Sequence, residues 1–448
     1  MVFFENFFAL LILIGVMIIV HELGHFWAAR LCDVRVEVFS FGFGPRLFGF
    51  RRGDTDYRFS AILFGGYVKM FGEQAGDEAS AEPGSFMSKP RYQRLFIVFA
   101  GPLMNILLAI GLLTGLFMVE FRKPEEPPVR GLIGHITKDS PADQAGLREG
   151  DRIAELDGLV NPSWEDIFLK EIQSAHKTLT VVYERGGQRH RVTVTPTMDE
   201  RMGVGSAGWY EKNEVEVGAV QPGMPAEKAG LRRGDLLVSV NGLPIHSRVS
   251  LREIIKNSGG KPVVVEYERE GVRKKVTIAP VYESADGQSY WMIGVQPENR
   301  IRYTVTQLPF QEALAESLRQ NRKGATLIFG FLHGILERRM SAKQLQGPIG
   351  IATLSGDAAR EGAAAYLHLM SMVSLNLAIF NLLPIPILDG GVILLLLVEM
   401  ILRRDLSLAV KETVIKVGFV FLMVVTVFVL YNDISKLLPA GLWLRSWG

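Results

Sequence analysis

Cysteine is almost absent: Cys32 is the one thiol in 448 residues. A single thiol excludes an internal disulfide and puts a thiolate metal site out of reach. We read Cys32 as a small residue at a helix end. Net charge is also scarce, +2 at pH 7 from 49 basic and 47 acidic side chains, so nothing in the balance points to nucleic acid. No Lys or Arg precedes the first apolar run, and no small-residue cleavage site follows it. With His-Glu-Leu-Gly-His inside that run, these absences exclude a cleaved signal peptide.

What the chain has in plenty is clustered apolar residues, with a mean hydropathy of +0.19. A bilayer crossing takes about 20 apolar residues. Four stretches qualify: about 3–31, 95–121, a long broken one at 363–402, and 414–431. Basic residues near spans mark the cytoplasmic side. They gather between the first two spans (Arg35, Arg46, Arg51, Arg52, Arg58, Lys69, Lys89, Arg91, Arg94) and after the third (Arg403, Arg404, Lys411, Lys416). Both termini and the polar central region then lie outside the cytoplasm.

The chemistry sits inside these spans. In His21-Glu22-Leu23-Gly24-His25, residues four apart share a helix face. Two imidazoles can hold one Zn²⁺, with Glu22 beside the water as general base and then acid. Two histidines and a carboxylate in an apolar span are costly to bury, which makes them functional by default. Catalytic zinc usually takes a third protein ligand. Glu37 is near the membrane but lies in a strand-like alternation. Asp389 lies in Asn381-Leu-Leu-Pro-Ile-Pro-Ile-Leu-Asp389-Gly-Gly391, where prolines and glycines break a membrane helix, as at cavity linings. We choose Asp389 over Glu37; capping of the helix that restarts at Gly390 is its structural alternative. His21 lies about 27 Å along its span at 1.5 Å per residue, which places the site toward the cytoplasmic leaflet.

The central region repeats. Ser-Pro-Ala-Asp-Gln-Ala-Gly-Leu-Arg-Glu-Gly-Asp starts at Ser140, and Met-Pro-Ala-Glu-Lys-Ala-Gly-Leu-Arg-Arg-Gly-Asp starts at Met224. Each runs on to a hairpin pair, Asp157-Gly158 and Asn241-Gly242, and ends in strand alternation at 179–194 and 263–278. Each copy resembles a PDZ domain of the bacterial protease type. The resemblance implies a peptide-binding loop at Gly131-Leu132-Ile133-Gly134 and at Val215-Glu216-Val217-Gly218. Peptide or C-terminus capture and a spacer or size-filter role both stay open. Leu308, Phe310, Leu314 and Leu318 suggest an amphipathic helix, lying on the membrane or packed on the protein. Between the first two spans, 36–41, 45–50, 57–63 and 67–71 read as short strands punctuated by Gly42, Gly44, Gly53, Gly65 and Gly66. From Glu73 to Lys89 the sequence reads as a solvent loop.

The fold class that follows is a multi-span α-helical membrane protein with four transmembrane helices, a membrane-associated β-hairpin sheet and two extracytoplasmic PDZ-like α+β domains. The divisions are 1–32 (first span), 33–93 (hairpins and loop), 94–122 (second span), 127–200 and 213–282 (PDZ-like copies), 300–362 (amphipathic helix and connection), 363–404 (broken third span) and 412–432 (fourth span).

With Gly42-Phe43-Gly44-Pro45, Gly65-Gly66-Tyr67-Val68-Lys69-Met70, Gly101-Pro102-x-x-Asn105 and Gly347-Pro348-Ile349-Gly350-Ile351-Ala352 added to the motifs above, nearly the whole chain resembles the site-2 protease family of intramembrane metalloproteases. The resemblance implies a zinc ion on His21, His25 and Asp389, with Glu22 as the acid–base residue. It implies a membrane-embedded sheet that holds substrate at its edge through Gly42, Phe43, Gly44, Gly65, Gly66 and Tyr67, with Asn376 and Asn381 as further substrate contacts. It also implies a bacterial inner-membrane protease whose PDZ-like pair excludes large periplasmic domains. The expected partner is a trimmed single-span anti-sigma factor or a remnant signal peptide. Two positions depart from the family pattern: Leu63-Phe64 stands in place of Pro-Leu, and Val392 in place of a histidine.

Overall fold

The computed structural model describes residues 2–73, 82–125, 129–199, 203–285, 288–342 and 345–437. The expected solvent loop falls partly on 74–81, outside the described residues, as do the ends 127 and 200 of the first PDZ-like copy. The chain divides into two compact units, one holding 1–121, 305–329 and 345–437, the other holding 122–304, 330–344 and 438–448.

In the first unit, four helices among the described residues are long and apolar enough to cross a membrane: Phe3–Leu31, Arg91–Val119, Ala363–Leu382 and Leu408–Ser435. The broken stretch appears as a helix ending at Leu382 and a second one, Asp389–Leu402. Pro384 and Pro386 cannot donate to a helix, and Ile387 between them and the restart has φ +86°, a strained value for a β-branched residue. Gly390 and Gly391 fit tightly against the carbonyls of Leu382, Leu383 and Ile385, where a Cβ has no room. The helices are joined by polar links: Ser371 donates to Ala109 O (2.9 Å), Ser374 to Asn105 O (2.9 Å) and Ser317, on the helix Phe310–Leu336, to Ile110 O (2.8 Å). Such links suit an apolar medium, where apolar contact alone does not drive helices together.

The helix Phe310–Leu336 contains the expected amphipathic segment, and part of its apolar stripe is exposed. Phe310 and Leu318 are exposed, while Ala313, Ser317 and Asn321 are buried. Small residues permit closer approach of the backbones, so the small stripe packs on the second span beside Leu113 and Phe117.

The hairpin region forms two long strands, Val36–Arg52 and Thr55–Met70, each of which supplies two segments to the ladder. Their register doubles back on itself. Phe39 faces both Val68 and Tyr57, Phe41 faces both Gly66 and Phe59, and Phe48 and Phe50 face Phe59 and Tyr57 from the other side. The neighbour order is therefore 46–52, 55–60, 36–41, 66–70, with two outer edges, at 46–52 and at 66–70. Gly42 (φ +93°) lies where a Cβ would meet the carbonyls of Ser60 and Ile62, and Gly65 (φ +152°) lies against the Phe43 ring.

In the second unit, each repeat has its own core. One gathers Ile133, Leu147, Ile153, Leu156, Ile167, Leu179 and Trp209, the other Val217, Leu231, Leu237, Val240, Leu251, Val265 and Ile278. The hairpin pairs have the positive φ that their turns require: Asp157 +49°, Gly158 +86°, Asn241 +53°, Gly242 +78°. Arg185 holds Asp151 (2.6 Å) as Arg269 holds Asp235 (2.6 Å). The backbone expected to form the peptide-binding loops, at 131–134 and 215–218, is already paired in the sheets. Val215–Val220 is flanked by Leu236–Val240 on one side and Val295–Asn299 on the other. Ile133–Ile136 is likewise paired to Trp209–Glu211, with Ile133 N–H and Gly131 O bonded to the Asp151–Ile153 segment. A strand with two neighbours cannot take a third. In the second repeat the edges of the sheet are Val272–Ile278 and Val295–Asn299, the latter after Ile293-Gly294.

Candidate active site

The site is built where three helices of the first unit meet. His21 and His25 lie on the first helix, Gly101 and Asn105 on the second, and Asp389 is the first residue of the helix that restarts after the break. The first two helices approach closely because Gly24 abuts the Ala100 carbonyl. Gly101 leaves the space that the imidazoles fill: a Cβ there would run into the His25 ring and come within 2.9 Å of His21 Cε1.

The three expected ligands converge. His21 Nε2 lies 3.2 Å from His25 Nε2 and 3.2 Å from Asp389 Oδ2, and His25 Nε2 lies 3.6 Å from Asp389 Oδ1. Both histidines are buried. Among the described residues these three form the one His/Cys/Asp/Glu group with ligand atoms within 4.8 Å of one another. Four donors about 2.05 Å from a tetrahedral ion would be spaced about 3.3 Å apart, so the donor set fits zinc in kind and in spacing. His25 Nδ1 donates to Ile97 O (2.9 Å), which leaves Nε2 facing the shared space. Asp389 does not cap its helix; Leu388 is the N-cap, with no side-chain bond. Glu37 is elsewhere, paired to Lys69 Nζ at 2.7 Å.

Glu22 is half-buried and lies near the Val68 N–H. Gly66 lies against it, since a Cβ there would be 3.1 Å from Glu22 Cγ. Phe71 N–H donates inward to Arg35 O, whereas Met70 N–H turns to Glu73. By alternation, Gly66, Val68 and Met70 present their N–H groups on the outer edge, on the side of Glu22. Of the other expected residues, Tyr67 stacks on Phe43 and takes a hydrogen bond from Arg58. Gly42 and Gly44 shape the interior bend of the sheet. Asn376 and Asn381 are half-buried on the third span and are not among the converging side chains. Sequence reasoning assigned no role to Gly101, Ile97 O or Asn105, whose Nδ2 lies 3.4 Å from His21 Nδ1. An asparagine within an apolar span was the available signal.

The profile described as peptidase family M50 matches residues 9–425. The chain belongs to peptidase family M50. It is thus a zinc metalloprotease of the site-2 class and an integral membrane protein, as the sequence led us to expect. It is 33% identical over 451 residues to the regulator of sigma-E protease RseP of Salmonella typhimurium, covering 96% of this chain and 99% of the relative. It is 32% identical to RseP of Escherichia coli, covering 95% and 98%, and 30% identical to a protein of Vibrio cholerae named as a zinc metalloprotease, covering 96% and 99%. Among solved structures, a PDZ domain of an SdrC-like protein from Listeria monocytogenes matches 19% of this chain and 90% of its own at 24% identity, with a TM-score of 0.17.

Proposed function

We propose that the chain holds one zinc ion on His21, His25 and Asp389 and hydrolyses peptide bonds in or near the transmembrane segment of single-span substrates. The spacing of the three ligand groups, 3.2, 3.2 and 3.6 Å between the two Nε2 atoms and the Asp389 oxygens, carries this reading. When bound, zinc polarises the scissile carbonyl and acidifies the attacking water. Glu22 accepts the proton of that water and passes it to the nitrogen of the leaving amine. His25 is held by Ile97 O, and Asp389 supplies the negative charge that offsets part of the ion's.

A transmembrane helix conceals its carbonyls in its own hydrogen bonds, and unpaired amides in lipid cost several kcal/mol each. The edge at 66–70 accepts the unwound substrate as an added strand, because it alone of the two outer edges lies beside Glu22. The edge at 46–52 is three strands away, about 14 Å at 4.8 Å per strand. The two PDZ-like repeats limit entry by the size of the substrate's outer domain, so that an anti-sigma factor is cut only after trimming, in the manner suggested by the sigma-E names of the relatives. The resemblance to bacterial relatives supports an inner-membrane location, and the basic loops support an orientation with both termini and the repeats outside the cytoplasm.

The test is cleavage of a single-span reporter by purified wild type and Glu22→Gln, with metal analysis of both. Glu22→Gln should retain zinc and lose cleavage by 10³-fold or more, in line with loss of general acid–base catalysis and water activation. Retained cleavage would overturn the assignment. Deletion of 127–282 should admit substrates with long outer domains; if they stay uncut, the repeats are not a filter.

A further inference from the structure

We propose that Asn105 is a positioning residue of the metal centre. Its side-chain oxygen accepts the Nδ1–H of His21 and so holds that ring with Nε2 toward the ion. This deepens, and rests on, the reading that His21, His25 and Asp389 are the ligands.

A neutral imidazole that gives Nε2 to a metal carries its proton on Nδ1, and that proton needs an acceptor. The His25 proton goes to Ile97 O at 2.9 Å, a carbonyl that can only accept. For His21 the neighbour is the Asn105 amide, from a different helix, with Nδ2 3.4 Å from Nδ1. In that orientation an amide donor faces a ring donor, and Asn105 Oδ1 is buried with no hydrogen-bond partner. Turning the amide by 180° exchanges two groups of nearly equal shape. The oxygen then meets the Nδ1–H, and that bond strengthens as a metal draws charge from the ring.

The side chain has no other evident task. Asn105 is fully buried in an apolar span, where a polar group without a partner costs about 1–3 kcal/mol. The interhelical link at this residue, Ser374 Oγ to Asn105 O, uses its backbone and would survive substitution.

The experiment titrates chelator against purified full-length protein and reads zinc per chain for wild type, Asn105→Leu, Asn105→Asp and His21→Ala, with gel-filtration elution as the folding check. Outer-shell partners of ligating histidines are worth about 10–100-fold in metal affinity. Asn105→Leu should therefore release zinc at a chelator concentration tenfold lower or more, while Asn105→Asp, which keeps an acceptor, should shift by less than tenfold. A shift below tenfold for Asn105→Leu, or of tenfold or more for Asn105→Asp, overturns the proposal. If Asn105→Leu does not fold, Asn105→Asp decides alone. Loss of zinc from His21→Ala with wild-type resistance in Asn105→Leu sinks only the role of Asn105. Wild-type resistance in His21→Ala sinks the ligand set itself.

Discussion

Gly101 gives the sharpest test of how the site is packed. In Gly101→Ala the added methyl would lie 2.5 Å from His25 Cε1 and 2.9 Å from His21 Cε1. Ordinary contact begins near 3.4 Å, so the His25 ring must retreat by about 1 Å or the first two helices must part by as much. Parting is resisted in the same crossing, where Gly24 already touches the Ala100 carbonyl. A misplacement of about 1 Å near the chemistry costs on the order of 10²-fold in rate, or about 2.7 kcal/mol of barrier. The assay is the initial rate on a single-span reporter in proteoliposomes, with zinc per chain measured alongside. Gly111→Ala is the control, since it lies in the same helix with nothing within 4 Å of its Cβ position. Alanine raises helix propensity by about 1 kcal/mol at either site, so a general loss of helix stability cannot explain a difference. Gly111→Ala should stay within twofold of wild type. The reasoning fails if Gly101→Ala keeps more than a tenth of the wild-type rate, or if Gly111→Ala falls with it.

Gly66→Pro removes an N–H from the proposed substrate edge and should cut cleavage tenfold or more with zinc retained, whereas Phe50→Pro on the opposite edge should stay within threefold; equal effects would deny the edge its role. Asp235→Ala takes the acceptor from Arg232 N–H (2.8 Å) and from Arg269. It should destabilise the second repeat by about 2–3 kcal/mol, and Asp151→Ala at the matching position of the first repeat should do the same, read as urea midpoints. Glu171 lies in the first repeat, where burial pushes its carboxyl up to about 7 against the lowering bond from the Ala207 N–H (2.6 Å). A raised carboxyl binds more protons folded than unfolded, so stability falls as pH climbs from about 4.5 to about 7 and levels off above, by up to about 3 kcal/mol in all. A urea midpoint followed by tryptophan fluorescence should decline over that window, and should be flat there in Glu171→Gln.

The catalytic group was legible because its geometry is local on one side and costly on the other. Helical period alone puts His21 and His25 on one face, and an aspartate among apolar residues has few reasons to exist, so Asp389 stood out across more than three hundred residues of intervening chain. The broken third span was legible from Pro384, Pro386, Gly390 and Gly391, since each forbids or permits a backbone conformation by itself. What stayed open was pairing and facing. The PDZ resemblance put a binding loop at 215–218 but was blind to the partner at 295–299, which arrives after some eighty residues. Which face of the amphipathic helix packs inward was open for a related reason. In water the larger apolar stripe would be buried, but where the medium is itself apolar the small residues go inward. Gly101 and Asn105 stood out only as motif residues without a role, because their work is done on side chains of another helix, and no periodicity within their own segment records it. The residues that shape the ligands are thus harder to read from sequence than the ligands themselves, because a ligand must be chemically unusual for its place while its neighbour need only leave room or offer one oxygen.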